Sequence, residues 1–236
     1  MKSKKDLIFL ILAGLFITND ITAEMIGSKI IQFGIFYLSI GIIPWPVVFL
    51  TTDIINEFYG IKGVRRLSLI TAGLIAYAFV ILFIALKVPA ASYPDISAVS
   101  DGQFHAVFGQ SMLIILGSIV AFIVSQFLDA SIFWLFREKT GGGMIWLRST
   151  GSTAISQLFD TFIVGGIAFW LPGKWTTAVF IQASLTGYCF KLIIAVLLTP
   201  LIYAGHSIIK KALGNEESDK IIHQVAEKSL HHKTLD

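Results

Sequence analysis

LSLITAGLIAYAFVILFIAL, residues 67–86, is a run of twenty residues without one charge, bounded by Arg65, Arg66 and Lys87. At 1.5 Å per helical residue it measures roughly 30 Å, the thickness of a bilayer's hydrocarbon core. The rest of the chain fits the same solvent. Of 236 residues, 55% are hydrophobic and 14% charged, where a soluble domain carries about 25% charge. Five more spans can be drawn around the first, at 7–27, 35–58, 110–136, 152–171 and 178–204. The apolar run from Phe104 to Phe136 is too long for one crossing, so its first residues read as interfacial, with the span entering near Ser111. The expected fold is therefore an all-α integral membrane protein, a six-helix transmembrane bundle. One transmembrane domain covers 1–205, and 206–236 form a cytoplasmic polar tail. The basic start (Lys2, Lys4, Lys5) before apolar Leu7–Ile17 imitates a signal peptide. No small-residue cleavage site follows, only Asn19, Asp20 and Glu24, so it reads as a span.

Lys and Arg in alternate loops set the orientation. With the N-terminus inside, fourteen lie on the cytoplasmic side, among them Lys2, Lys4, Lys5, Lys62, Arg65, Arg66, Arg137 and Lys139. Three, Lys29, Lys87 and Lys174, lie outside, and Lys191 falls within a span. The expectation is N-in/C-in, in the inner membrane. Pro89, Pro94, Asp95 and Asp101 mark 87–103 as an outer loop, and Gly141–Gly143 the inner loop between the fourth and fifth spans. A surface helix is expected around Ile221–Leu230, and His223, His231 and His232 read as solvated tail residues.

Several function classes drop out. Cys189 is the only cysteine, so no internal disulfide or zinc cluster is possible. A net charge of +3 gives no reason to invoke nucleic acid. The chain has no phosphate-binding Gly-x-x-x-x-Gly-Lys, no His-Glu-x-x-His and no Gly-x-Ser-x-Gly. No enzyme activity, cofactor or metal is expected. An aspartyl dyad of Asp129 and Asp160 is disfavoured because Lys191, at similar depth, favours both staying ionised.

Ionisable groups inside spans are costly, about 2.5–3.5 kcal/mol at a helix centre on insertion scales, and usually face a bundle interior or water. Here Asp53, Asp129, Asp160 and Lys191 all fall on the order of 12–20 Å from the inner surface by helical rise. A short repeat reinforces the pattern: Ser125-Gln126-Phe127-Leu128-Asp129 recurs as Ser156-Gln157-Leu158-Phe159-Asp160. Within each, Ser, Gln and Asp share a helix face, and the two helices run in opposite directions, as in inverted-repeat transporters. Ser184, Tyr188 and Lys191 form a polar stripe on the sixth span. Pro44-Trp45-Pro46, near the middle of the second, predicts a kink or break, with Trp45 available to stack a flat ring. Trp134, Trp146, Trp170 and Trp175 read as interface anchors, and Gly14, Thr18 and Thr22 as a close-packing stripe. His105 and His206 have no partner at any telling spacing.

Four segments carry a family resemblance. Phe49-Leu50-Thr51-Thr52-Asp53 with Glu57, Tyr59-Gly60 and Arg65-Arg66 is similar to the signature of queuosine precursor transporters, in the vitamin uptake transporter group. Gln126-x-x-Asp129, Ser152-Thr153 through Asp160-Thr161, and Tyr188-Cys189-Phe190-Lys191 with Pro200 resemble the family's fourth, fifth and sixth spans. Asp20 and Glu24 match none of these motifs. The resemblance implies import of 7-deazaguanines such as preQ0, preQ1 or queuine, which feed queuosine synthesis for tRNA modification. Trp45, Phe49, Asp53, Gln126, Asp129, Gln157, Asp160 and Lys191 are the expected substrate-binding residues. The partners expected are this small molecule and membrane lipid, with self-association left open. The competing reading is a substrate-binding membrane subunit of a multi-component ATP-driven importer. Such subunits often carry Ala-x-x-x-Ala on the first span, where this chain has Gly14, Thr18 and Thr22.

Overall fold

The computed structural model describes residues 4–139, 145–214, 218, 220–222 and 224, with backbone alone at 33, 61, 126–127, 129–139, 145–153, 195–196, 199 and 202. The inner loop at 141–143 and the three tail histidines lie outside the described residues. Helix α1 is Lys4–Ile26, followed by strands β1 (Ile30–Phe33) and β2 (Phe36–Ser39) and a single tight turn at Ile40–Ile42. Helix α2 is Trp45–Lys87, α3 Asp101–Lys139, α4 Ile145–Gly165, α5 Thr177–Leu197 and α6 Thr199–Leu213. Among the described residues, four helical stretches are long and apolar enough to cross a membrane: Lys4–Ile26, Lys62–Lys87, Asp101–Ser125 and Thr177–Ile194. Ala154–Trp170 is a shorter apolar helix. Many large side chains on these stretches, including Leu10, Ile11, Tyr77, Val80 and Ile84, are exposed. An exposed apolar helix of this length needs lipid around it.

Three expectations need correction. The span drawn at 35–58 opens on an antiparallel hairpin in which Ile30 pairs with Ser39 and Phe33 with Phe36. The two-residue turn puts Gly34 at φ 60, a conformation that glycine adopts without steric cost. Ile, Phe and Tyr suit a strand as well as a membrane helix, so hydropathy alone could not separate the two. Second, Pro44-Trp45-Pro46 begins a helix rather than interrupting one. The Pro44 carbonyl accepts from the amides of Val47 and Val48, and Pro46 sits in the first turn, where its missing N–H is no loss. The break in α2 comes at Gly60, with φ 74 and ψ 176, outside the region open to residues with a Cβ. Third, 178–204 is two helices: α5 ends at Leu197 and α6 restarts with Pro200 in its first turn. Helix α3 also begins at Asp101, before the expected entry near Ser111. Helix α6 continues past the expected boundary between 205 and 206, to Leu213.

The chain divides into two compact units, Met1–Ala23 with Ile43–Leu74 and Lys191–Asp236, and Glu24–Ile42 with Ile75–Phe190. In the first, Phe16, Val48, Ile54, Ile55, Phe58, Ile209 and Leu213 form one apolar core. The side chains of Ile55 and Phe58 are fully buried there. Tyr59 donates its hydroxyl to the Lys5 carbonyl at 2.6 Å, tying the start of α1 to α2. In the second unit, α3 and α4 pack so closely that a Cβ on Gly117 would lie 3.2 Å from Val164 Cα. Beyond α4 the helix widens into a π turn, Gly166–Trp170. The Gln110 side-chain amide holds that turn by donating to the Ala168 carbonyl at 2.6 Å.

Candidate functional site

The first arm of α2 carries the clearest constellation. Trp45, Phe49 and Asp53 stand four residues apart, and 400° of rotation leaves each nearly above the last. They form one stripe. The Trp45 and Phe49 rings lie 5.4 Å apart between centroids at 41°. The Lys191 ammonium, from α5, sits 4.4 Å from the centroid of the Trp45 ring. That geometry is a cation–π contact, which strengthens where water is scarce. Trp45, Phe49 and Lys191 are part-buried, whereas Asp53 is exposed. A cation, two aromatic faces and an open carboxylate thus share a few turns of one unit. The contact between Lys191 and Trp45 joins residues far apart in the sequence, which helical spacing does not reveal.

The same stripe continues to Glu57, one turn past Asp53. Its carboxylate Oε1 is 3.1 Å from His206 Nε2 of α6. The His206 ring lies against Phe58, 5.3 Å between centroids at 36°. Helix α6 lies close against α2 at Gly205. A Cβ there would meet Ile54 Cδ1 at 2.8 Å. This pair was missed from sequence, where His206 had no partner. Nothing local signals a contact between residues so far apart in the chain.

In the second unit the repeat has a structural counterpart. Ser125 Oγ donates to the Ser156 carbonyl at 3.3 Å, so the two copies meet at matching first residues. Because α3 and α4 run in opposite directions past that contact, Asp129 and Asp160 lie about 6 Å to either side of it along the helices. The side chains of Gln126 and Asp129 lie outside the described residues. Gln157 faces α5 on the stripe that holds Ala154 and Thr161. The Ala154 carbonyl accepts from Tyr188 Oη at 3.1 Å, and Thr161 lies 3.7 Å from where a Cβ on Gly187 would sit. Among the described residues, Gln157 Oε1 and Ser184 Oγ are buried without a hydrogen-bond partner. Buried polar atoms are nearly always paired, so each is suited to a group that arrives from outside. Ser184 and Tyr188 belong to this unit and Lys191 to the other, so the expected stripe on α5 is divided between them. Asp160 is part-buried on α4. Among the described residues, no group of three or more His, Cys, Asp or Glu could hold a metal ion.

Residues 39–205 match the family model described as "Putative vitamin uptake transporter". The chain is 34% identical over 181 residues to a "Probable queuosine precursor transporter" of Bacillus subtilis, covering 76% of this chain and 74% of that one. It is 27% identical over 171 residues to a protein of the same description from Haemophilus influenzae, covering 69% of this chain and 66% of that one. No solved structure matches. The matched segment contains the whole Trp45–Phe49–Asp53 stripe, the serine-started repeat and Lys191, and on that match the chain belongs to the vitamin uptake transporter family, whose members are transporters rather than enzymes.

Proposed function

We propose that the protein imports a queuosine precursor, a 7-deazaguanine such as preQ0, preQ1 or queuine, across the inner membrane into the cytoplasm. The observation that carries this is the stripe of Trp45, Phe49 and Asp53 under the Lys191 ammonium. A guanine-like base presents a flat bicycle, adjacent N–H donors and an oxo acceptor. The aromatic rings stack the bicycle, Asp53 accepts from the N–H edge, and Lys191 donates to the oxo group. The names of the two relatives support the same substrate class. On residue type alone, Gln126, Asp129, Gln157 and Asp160 are further candidate contacts for the base. The test is uptake of labelled preQ0, preQ1 and queuine by cells that lack their own import and synthesis. Cells expressing this chain accumulate at least one of them, and accumulation of none would end the proposal.

Gln157→Leu isolates one contact. It removes a buried acceptor that has no partner among the described residues, leaving the amount of inserted protein unchanged or higher. Apparent affinity for the base falls roughly 5- to 30-fold, the cost of one unmet hydrogen bond. Uptake kinetics per inserted molecule measure it.

Six crossings with both ends in the cytoplasm are proposed as the topology, α2 supplying two of them on either side of Gly60. The excess of Lys and Arg in the inner segments supports it. A reporter active only in the cytoplasm is expected to work when fused after Asp236 or inserted at Gly142. Activity of a periplasm-only reporter at either place would reverse the orientation.

A further inference from the structure

We infer that Glu57 and His206 form the proton-binding site through which this transporter couples substrate import to a proton gradient. The proposal builds on import of a 7-deazaguanine by the same chain.

The pair spans two helices of one unit, Glu57 on α2 and His206 on α6. His206 Nε2 is buried, stands 3.1 Å from Glu57 Oε1 and makes no in-line hydrogen bond among the described residues. The His206 and Glu57 side chains as a whole are 24% and 38% exposed, so neither is sealed inside protein. A proton added to the imidazole turns this close contact into an ion pair between α2 and α6. Phe58 backs the ring, which holds the imidazole beside Glu57.

Proton is favoured over sodium by the donor set. A hard alkali cation seeks several oxygens, and here one of the two groups is an imidazole nitrogen. The charged and titratable groups on the surrounding elements of this unit are Asp53, Tyr59, Lys62, Arg65 and Arg66 of α2, Tyr203, Lys210 and Lys211 of α6, Lys4, Lys5, Asp6 and Asp20 of α1, Lys191 of α5, and Lys220 beside the core residue Ile221. Of these, Asp53 lies one helical turn from Glu57 on the same stripe, so two carboxylates face one way. A proton on His206 offsets the Glu57 charge next to Asp53 and alters the field at the proposed base-binding carboxylate. It also changes how firmly α6 holds the arm of α2 that carries Trp45, Phe49 and Asp53. Linkage then requires that substrate and proton change each other's binding by the same factor.

The test uses the full chain in proteoliposomes with labelled 7-deazaguanine. Wild type accumulates the base above equilibrium when the lumen is alkaline, and a protonophore abolishes the accumulation. His206→Gln keeps an N–H to face Glu57 and takes no proton. It loses gradient-driven accumulation yet retains exchange of labelled for unlabelled base when no gradient is imposed. Glu57→Gln behaves alike. Wild-type-like accumulation by His206→Gln overturns the inference, as does equal loss of accumulation and exchange, which marks a structural pair. Wild type that takes up no 7-deazaguanine refutes the substrate reading instead. The pair is then judged by melting temperature from about pH 8 to about pH 5, a range in which imidazoles change charge. Acidification raises the wild-type melting temperature relative to that of His206→Gln, and superimposable pH profiles overturn the pair.

Discussion

Asp53→Asn lowers base uptake per inserted molecule by roughly ten- to a thousandfold, with the amount of protein in the membrane unchanged. Asparagine keeps the size of the side chain and one carbonyl but introduces an NH2 group where the site needs acceptors. One N–H of the base then meets a donor, and another loses a charged acceptor. Unmet polar groups cost about 1–3 kcal/mol each, and 1.4 kcal/mol is tenfold in affinity. Asp53 is exposed rather than enclosed by protein, so its removal leaves no buried partner stranded. A fall in abundance matching the fall in uptake would make Asp53 a structural residue. Uptake at the wild-type rate would remove it from the site.

Trp45→Ala produces the second large loss, roughly 5- to 150-fold in apparent affinity, from the 1–3 kcal/mol that base–aromatic stacking contributes. The change removes two contacts at once: the face offered to the base and the face beneath the Lys191 ammonium. Trp45→Phe separates them from simple packing. Phenylalanine keeps a stacking surface and a weaker cation–π partner, so it recovers most of the uptake that alanine loses. Equal losses in the two variants would show that the indole acts through its size or its N–H. Competition by unlabelled base against labelled base, measured across the three proteins, gives the affinities directly.

Much of the fold was legible because membrane crossing is a local property. Residues 67–86 could be assigned by length and lack of charge alone, and they lie within the Lys62–Lys87 stretch. What stayed hidden depended on conformations that apolar sequence does not encode. Glycine occurs often in membrane helices, so nothing distinguished Gly60 at φ 74 from the helical Gly63. The hairpin at Ile30–Ser39 has the composition of a span, and Pro44-Trp45-Pro46 reads equally as a kink or a start. The site divides the same way. Trp45, Phe49 and Asp53 were each legible as candidates, but their single stripe appears only once α2 is seen to start at Trp45. The approach of Lys191 to Trp45 and of His206 to Glu57 depends on packing between distant segments, which one sequence cannot reveal.

The bond from Ser125 to the Ser156 carbonyl has a mirror-image alternative, because each serine opens a copy of the same five-residue pattern. Exchange the roles of donor and acceptor, and the crossing of α3 and α4 would be restored with the two helices shifted the opposite way. The serines alone do not choose between the two; contacts outside the repeat, such as Gly117 against Val164, do. A bound base or an added proton that favoured one set of contacts would shift the helices toward it. The repeat would then act as a balance, with the cargo as the weight that tips it.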